Sequence, residues 1–452
     1  MNEILHFDDS LNTFLAALLL HFDAKSVALG WVLRDASGHL GFIAAGPVTE
    51  ETRSSTSLIL QKTMGAYCRK NCILDIEQPG VSSLFDTSAA FIQTITFCNN
   101  ESIKIQLLDQ RIVGHDWLTP PAPGWKDSEP ARFVFASLKG GVGRSTSLAV
   151  VATDLARKGR NVLAIDLDLE APGIGAMLLK PIEMPKFGVL DWLVERGVYG
   201  TDFDDGQFLH EMKAASSFAL NRGLLDVVPA VGTIANLHPE NVLAKIARAY
   251  LEMPKADGGS LSLLGQVQEL VARLAKLARY DVILIDARAG LNESTAAALL
   301  GLGGDIFLFG IDTPQTFSSY RYLLAHMARF PRNEDDNWLL RFRMIHAKAG
   351  REVPQQTAFR DRAFEVFNEF LYREIPLTGE DGTPLKDAGG TSEFGLDDPA
   401  APHFAWPILF DNNYGEFDPL SAENQLNLEY YQSTYQGLLE GIDKLLMIDE
   451  DR

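Results

Sequence analysis

Two hydrophobic rhythms divide this chain. Over residues 1–118, short apolar runs alternate with polar positions and are broken by turn residues. That pattern predicts a helix near Leu11–His21, then strands over Ser26–Leu33 and Leu40–Ala45 joined by a turn at Asp35–Gly38. A second helix is predicted near Ser57–Lys70, followed by short strands around Ile73–Ile76, Phe91–Phe97 and Ile103–Leu108. From Arg132 onward the apolar runs become continuous, as in strands buried on both faces: Phe133–Ser137, Asn161–Ile165, Leu225–Pro229, Val282–Ile285, Ile306–Ile311 and Phe342–His346. Stretches with helical spacing, Ser145–Lys158, Leu261–Ala278 and Ser318–Arg329, lie between several of them.

This alternation predicts an α/β domain with a mainly parallel sheet, preceded by a small α+β domain. Prolines at 120, 121, 123 and 130 remove backbone donors, so residues 119–130 read as a Pro-rich linker between domains at 1–118 and 131–452. Residues 376–403, rich in Gly, Pro and Asp, read as a surface insertion, and Asn424–Met447 as a closing packing helix.

Composition narrows the partners. The chain has 452 residues, 46% of them apolar, with no run long enough for a membrane helix and no signal-peptide pattern. Three cysteines fit a reducing cytoplasm. The Cys68/Cys72 spacing, read as one face of a helix with Cys98 elsewhere, lacks a fourth ligand for a metal. Net charge is −20, and residues 331–452 carry 24 acidic against 11 basic side chains. That distribution argues against nucleic acid and against an anionic membrane surface.

The chemistry begins at Lys139-Gly140-Gly141-Val142-Gly143-Arg144-Ser145-Thr146, between a buried strand and a helix. Consecutive N–H groups, glycines that admit an anion and a helix N-terminus make this a phosphate loop. Two strands end in acids, at Asp166 with Asp168 and Glu170 beyond it, and at Asp286 with Arg288 beyond it. Carboxylates at such strand ends gather at the edge of the sheet where the loop lies.

The string resembles the deviant Walker A motif of MinD/ParA-like (SIMIBI) P-loop ATPases, in the variant subgroup with K-G-G-V-G-R. The resemblance covers residues 132–330 well and 340–445 loosely. It implies that Lys139 reaches phosphate across a dimer and that the loop from Lys139 to Thr146 holds ATP. It also implies that Ser145, Asp166 and Asp286 serve Mg²⁺ and that Asp168 orients the attacking water. Arg144 stands where the family has a second lysine; a guanidinium binds phosphate bidentately but is bulkier than an ammonium. Arg288 is read either as an arginine finger or as an ion-pair partner of Asp286, Asp166 or Glu170. Thr316 or Ser318 is expected to cap a late helix, and residues 344–348 and 406–411 to read the base, ATP being favoured by resemblance.

Together these readings imply an ATP- and Mg²⁺-dependent homodimeric switch, a weak ATPase that signals to an unidentified protein partner. The alternative is a non-hydrolysing nucleotide sensor or scaffold, of a kind that serves phage-defence or stress systems. A DNA-partitioning ATPase fits the loop and conflicts with the charge.

Overall fold

Continuous apolar strands need cover on both faces, and the larger of two units in the computed structural model provides it. Residues 5–86, 89–97, 100–126, 128–200, 203–254, 259–376 and 390–450 are described. The chain divides into Met1–Thr119 and Pro120–Arg452.

In the larger unit, eight strands form one sheet, in the order Trp406–Leu409, Phe342–Ala349, Asp305–Gly310, Ala131–Ser137, Val282–Asp286, Asn161–Asp166, Leu224–Val228 and Ala214–Ala215. Every neighbouring pair is parallel except the last, which is antiparallel. The Ala131–Ser137 and Val282–Asp286 strands sit at the centre, each with a parallel neighbour on both sides, and Phe133, Phe135, Val282 and Leu284 are fully buried. Burial of such side chains contributes about 1.5–3 kcal/mol each and sets the register. The helix Arg144–Arg157 packs on this sheet with Leu148, Ala149, Val150, Val151 and Ala152 wholly buried. The closing helix runs over Leu428–Glu450, and Tyr431, Tyr435, Leu438 and Ile442 join the same core. Its Tyr431 hydroxyl donates to Asp154 of the Arg144–Arg157 helix at 3.0 Å.

The proline-rich stretch is pinned to this unit. Ala122 N–H donates to Leu300, Trp125 N–H to Gly303, and Arg341 to the Ala122 carbonyl. Of the Gly/Pro/Asp-rich segment 376–403, residues 377–389 lie outside the described residues. The remainder is not all surface, since Ala401 and His403 are fully buried. The helix after the Asp305–Gly310 strand spans Pro314–Met327 and is capped by Thr313, whose hydroxyl accepts from Thr316 N–H; the expected caps Thr316 and Ser318 lie inside it. Among the described residues no helix is long and apolar enough to cross a membrane.

The smaller unit has a five-stranded mixed sheet in the order Cys68–Asp75, Leu40–Ala44, Trp31–Arg34, Ser102–Asp109, Ala89–Thr96. The helices Phe7–Leu18 and Glu50–Met64 supply Phe14, Leu15, Leu18 and Leu60 to its core. Two expectations fail here. Ser26–Leu29 is helical, within Ala24–Leu29, because the Asp23 carboxylate caps the N–H groups of Lys25 and Ser26. The second helix ends at Met64, where Gly65 at φ +53° turns the chain and donates to Gln61.

Cys68 and Cys72 therefore lie on a strand and not on a helix. Against Leu40 and Phe42 the strand pairs Cys68 and Ile73, so a bulge takes up the residues between them. Cys68 Sγ donates to the Arg69 carbonyl at 3.6 Å, and Cys72 is fully buried. Cys98 lies outside the described residues.

Candidate nucleotide-binding site

The central strands bring the sequence-separated acids together. Asp286 ends its strand directly opposite Asp166 on one neighbour and Phe135 on the other. The chain leaves the Ala131–Ser137 strand, turns through Gly141 and Gly143, both in the left-handed region at φ +74° and +87°, and enters a helix at Arg144. A Cβ at Gly140, Gly141 or Gly143 would meet no atom within 4 Å, so the inside of the loop is open. Lys139 is exposed, Val142 is buried in the core beneath the loop, and Ser145 and Thr146 are half-buried in the first helical turn. This geometry presents a helix N-terminus and a ring of backbone donors to an anion.

Behind the loop lies a buried polar cluster. Ser145 Oγ donates to Asp286 Oδ2 at 2.6 Å. Arg144, only 8% exposed, donates from Nε to Asp286 Oδ1 at 2.5 Å and from Nη2 to Asp168 Oδ2 at 3.0 Å. Its Nη1 reaches Ser137 Oγ at 3.5 Å. The structure thus turns Arg144 to the carboxylates. Asp166 is fully buried and accepts from the N–H groups of Asp168, Gly173 and Ile174 at 2.9–3.1 Å.

Burial dominates the electrostatics. It pushes the Asp166 carboxyl up to about 7, helped by the neighbouring Asp286 charge and opposed by the three backbone donors. Asp286 is also raised by burial, against the pull of Arg144 and Ser145. Burial alone would lower the Arg144 guanidinium, and the Asp286 and Asp168 charges reverse that and hold it protonated.

Arg288 does not join this cluster. Its Nη1 donates to Glu170 Oε1 at 2.7 Å, and both side chains are about one-third exposed. Of the three acids named as partners of Arg288, Glu170 is the one that pairs with it.

A cleft of about 80 Å³ opens beside the loop, lined by Val142, Gly143 and Thr146 on one side and Lys348, Phe410 and Tyr414 on the other. Both stretches expected to read a base reach it, through Lys348 and through residues 408–411. Lys348 takes φ +54°, and its Nζ donates to the Gly141 carbonyl at 2.9 Å, strapping the strand end to the loop. Tyr414, Thr434 and Tyr435 also line the cleft. Sequence reading missed them because they come from segments with no motif of their own.

The donor set suits a hard cation. Ser145, Asp166, Asp168 and Asp286 offer oxygen atoms, and Mg²⁺ commonly takes one or two protein oxygens, keeping phosphate and water for the rest. Among the described residues no cluster of three or more His, Cys, Asp or Glu side chains is arranged to cage a metal unaided.

Residues 133–307 match the family model "CobQ/CobB/MinD/ParA nucleotide binding domain". An iron-sulfur cluster carrier protein from Pseudomonas fragi is 28% identical over 159 residues, which is 35% of this chain and 53% of that protein, so the chain spans about half the length of that relative. Among solved structures, a ParA family ATPase from Chlorobium tepidum is 17% identical, with 69% of this chain and 97% of that one covered and a TM-score of 0.42. A putative plasmid partition protein from Borrelia burgdorferi bound to AMPPNP is 19% identical, covering 70% and 99%, at a TM-score of 0.41. The MinD protein of Pyrococcus horikoshii with Mg-ADP is 20% identical, covering 50% and 73%, at a TM-score of 0.33. With the match falling on the strand–loop–helix unit and both strand-end acids, residues 133–307 form a MinD/ParA-like P-loop nucleotide-binding domain.

Proposed function

We propose that this protein is an ATP-binding, Mg²⁺-dependent switch that dimerises around the nucleotide, hydrolyses it slowly and passes its state to a partner protein. The observation that carries this reading is the convergence of the open loop, the Ser145–Asp286 contact and the neighbouring cleft on one edge of one sheet. Backbone donors from Gly140 to Thr146 would bind phosphate, and the Lys348 strap would hold the loop against the base side of the cleft. Bound Mg²⁺ would supply charge neutralisation of the phosphates, with Ser145 as ligand and Asp286 and Asp166 holding its water. The exposed position of Lys139 suits a contact made across a dimer.

Slow turnover is supported by the Arg144–Asp168 contact. Asp168 is the acid assigned to orient the attacking water, and one of its oxygens already accepts from Arg144 while the other accepts from Ala171 N–H. The same contact favours the second reading, a nucleotide-dependent sensor or scaffold that does not hydrolyse.

Mass in solution with and without ATP, together with phosphate release, tests both. A mass that doubles with ATP, and that Lys139→Ala abolishes without unfolding the chain, supports the switch. An unchanged ATP-bound mass sinks the dimer. Zero release from a wild type that still binds ATP selects the scaffold.

A further inference from the structure

The side chain that differs from the family's pattern lies between two of the acids that would serve a divalent ion. Arg144 leaves the first turn of its helix and lies behind the loop, not within it, with its three nitrogens directed at Asp286, Ser137 and Asp168. Asp286 Oδ1 accepts from this guanidinium and Oδ2 accepts from Ser145, so both of its oxygens are engaged by the chain's own donors. The Asp166 carboxylate is turned onto three backbone N–H groups. Within this arrangement the positive charge between Asp286 and Asp168 is already supplied, and it is 8% exposed.

A lysine is less suited to this. An ammonium is a compact point charge on a flexible stem, whereas a planar guanidinium presents separate N–H edges to two acceptors at once. A lysine at this position would centre its three donors on one point and hold two separated carboxylates less firmly.

We propose that Arg144 is the resident cation of this site: it bridges Asp286 and Asp168 in place of a divalent ion, so that nucleotide binding does not depend on Mg²⁺. Mg²⁺ would then be needed for hydrolysis and not for binding, which separates a binding state from a hydrolytic one. The inference rests on the nucleotide-binding reading above and adds which charge serves it.

The test is binding, not turnover. Full-length protein is titrated into N-methylanthraniloyl-ATP and followed by fluorescence anisotropy, once in Mg²⁺ and once in EDTA. The wild-type dissociation constant is expected to change by less than about threefold between the two, and that of Arg144→Lys by about tenfold or more. A wild type that weakens about tenfold in EDTA overturns the proposal, and so does an Arg144→Lys variant that is as indifferent to Mg²⁺ as the wild type. Should the lysine variant fail to fold, the wild-type pair of titrations still decides. Asp168→Asn, which removes one anchor of Arg144 and keeps the Ser145–Asp286 contact, is then expected to show a Mg²⁺ dependence the wild type lacks. If wild type binds the nucleotide in neither buffer, the nucleotide reading itself has failed, an outcome distinct from binding that needs metal.

Discussion

Each unit of this protein ends sheet strands in aspartates that meet arginines, yet only one of them builds a site. In the smaller unit Asp75 ends its strand and accepts from Arg53 at 2.7 Å, and Asp109 ends another and accepts from Arg111 at 2.9 Å. In the larger unit Asp166 and Asp286 end adjacent strands and Arg144 reaches Asp286 at 2.5 Å. The residue types are the same and the physical results are opposite. The Arg53 hydrogen bond holds Asp75 below the usual carboxylate range, whereas burial lifts Asp166 and Asp286 above it. What separates them is convergence. Asp75 and Asp109 each satisfy one arginine, while Asp168 and Asp286 come from two chain segments to share one guanidinium, with Ser145 also on Asp286, behind an open loop. A paired strand-end acid is therefore a structural feature by default, and several acids sharing one cation beside a glycine loop are the informative case.

The sharpest way to break that comparison is to delete the arginine on each side. Arg144→Ala strands Asp286 and Asp168 in the interior without their counter-ion, and a buried pair broken in this way costs about 3–5 kcal/mol. Urea unfolding of the larger unit, followed by tryptophan fluorescence in the full chain, measures it. A loss under about 1 kcal/mol would mean the cluster is solvated and the contrast between the units is unreal.

The loop and the acids were legible because they are local: glycines at 140, 141 and 143 after a β run, and an acid closing each of two others. Their partners were not. That Arg144 would turn to Asp286, 142 positions away in sequence, depends on the two strands lying side by side. The same holds for Lys348 on Gly141, and for Tyr414 and Tyr435 in the cleft. In the smaller unit the errors were local conflicts. Asp23 made a helix of Ser26–Leu29, whose β-like apolar spacing reads as strand, and Gly65 stopped a helix whose amphipathic pattern continues past it.

A second prediction extends the burial argument from acids to a base. His346 is 4% exposed, stacks on Phe359 at 4.1 Å and, among the described residues, finds no hydrogen-bond partner for Nδ1. Burial lowers it to about 4 from an ordinary value of 6.5. A group with a depressed folded value contributes stability above its unfolded value that is lost as pH falls through the folded one, here from 6.5 towards about 4. At pH 5 the loss is about 2 kcal/mol. His346→Phe is expected to flatten that part of the stability–pH curve, measured by urea unfolding at pH 7.5 and pH 5. Equal acid sensitivity in both proteins would show that His346 is not the group responsible.

Arg53→Ala is the counterpart of Arg144→Ala in the smaller unit. Asp75 keeps the N–H donors of Val48 and Glu77 when Arg53 is removed, so the expected loss is only about 1–2 kcal/mol. Thermal unfolding of the full chain, with nucleotide affinity as a control, checks it. Nucleotide affinity is expected to stay unchanged, and a stability loss as large as that of Arg144→Ala would erase the distinction between the two kinds of pair.

The smallest stability effect is expected where the larger unit carries a pair of the surface kind. Arg288 and Glu170 join the segments that follow two adjacent site strands, and both side chains are about one-third exposed. Such pairs contribute about 0–1 kcal/mol, so Glu170→Ala should move the unfolding midpoint hardly at all. Its consequence belongs to function. Arg288 stands two residues past Asp286, and losing Glu170 frees its guanidinium to meet charge developing on a bound phosphate. Phosphate release by Glu170→Ala is expected to exceed that of wild type by about threefold or more, and Glu170→Ala/Arg288→Ala to lose the gain. If turnover is the same in all three proteins, Arg288 is a surface ion pair and nothing more. Convergence of several groups on one cation would then separate the strand-end pairs among the described residues without any appeal to catalysis.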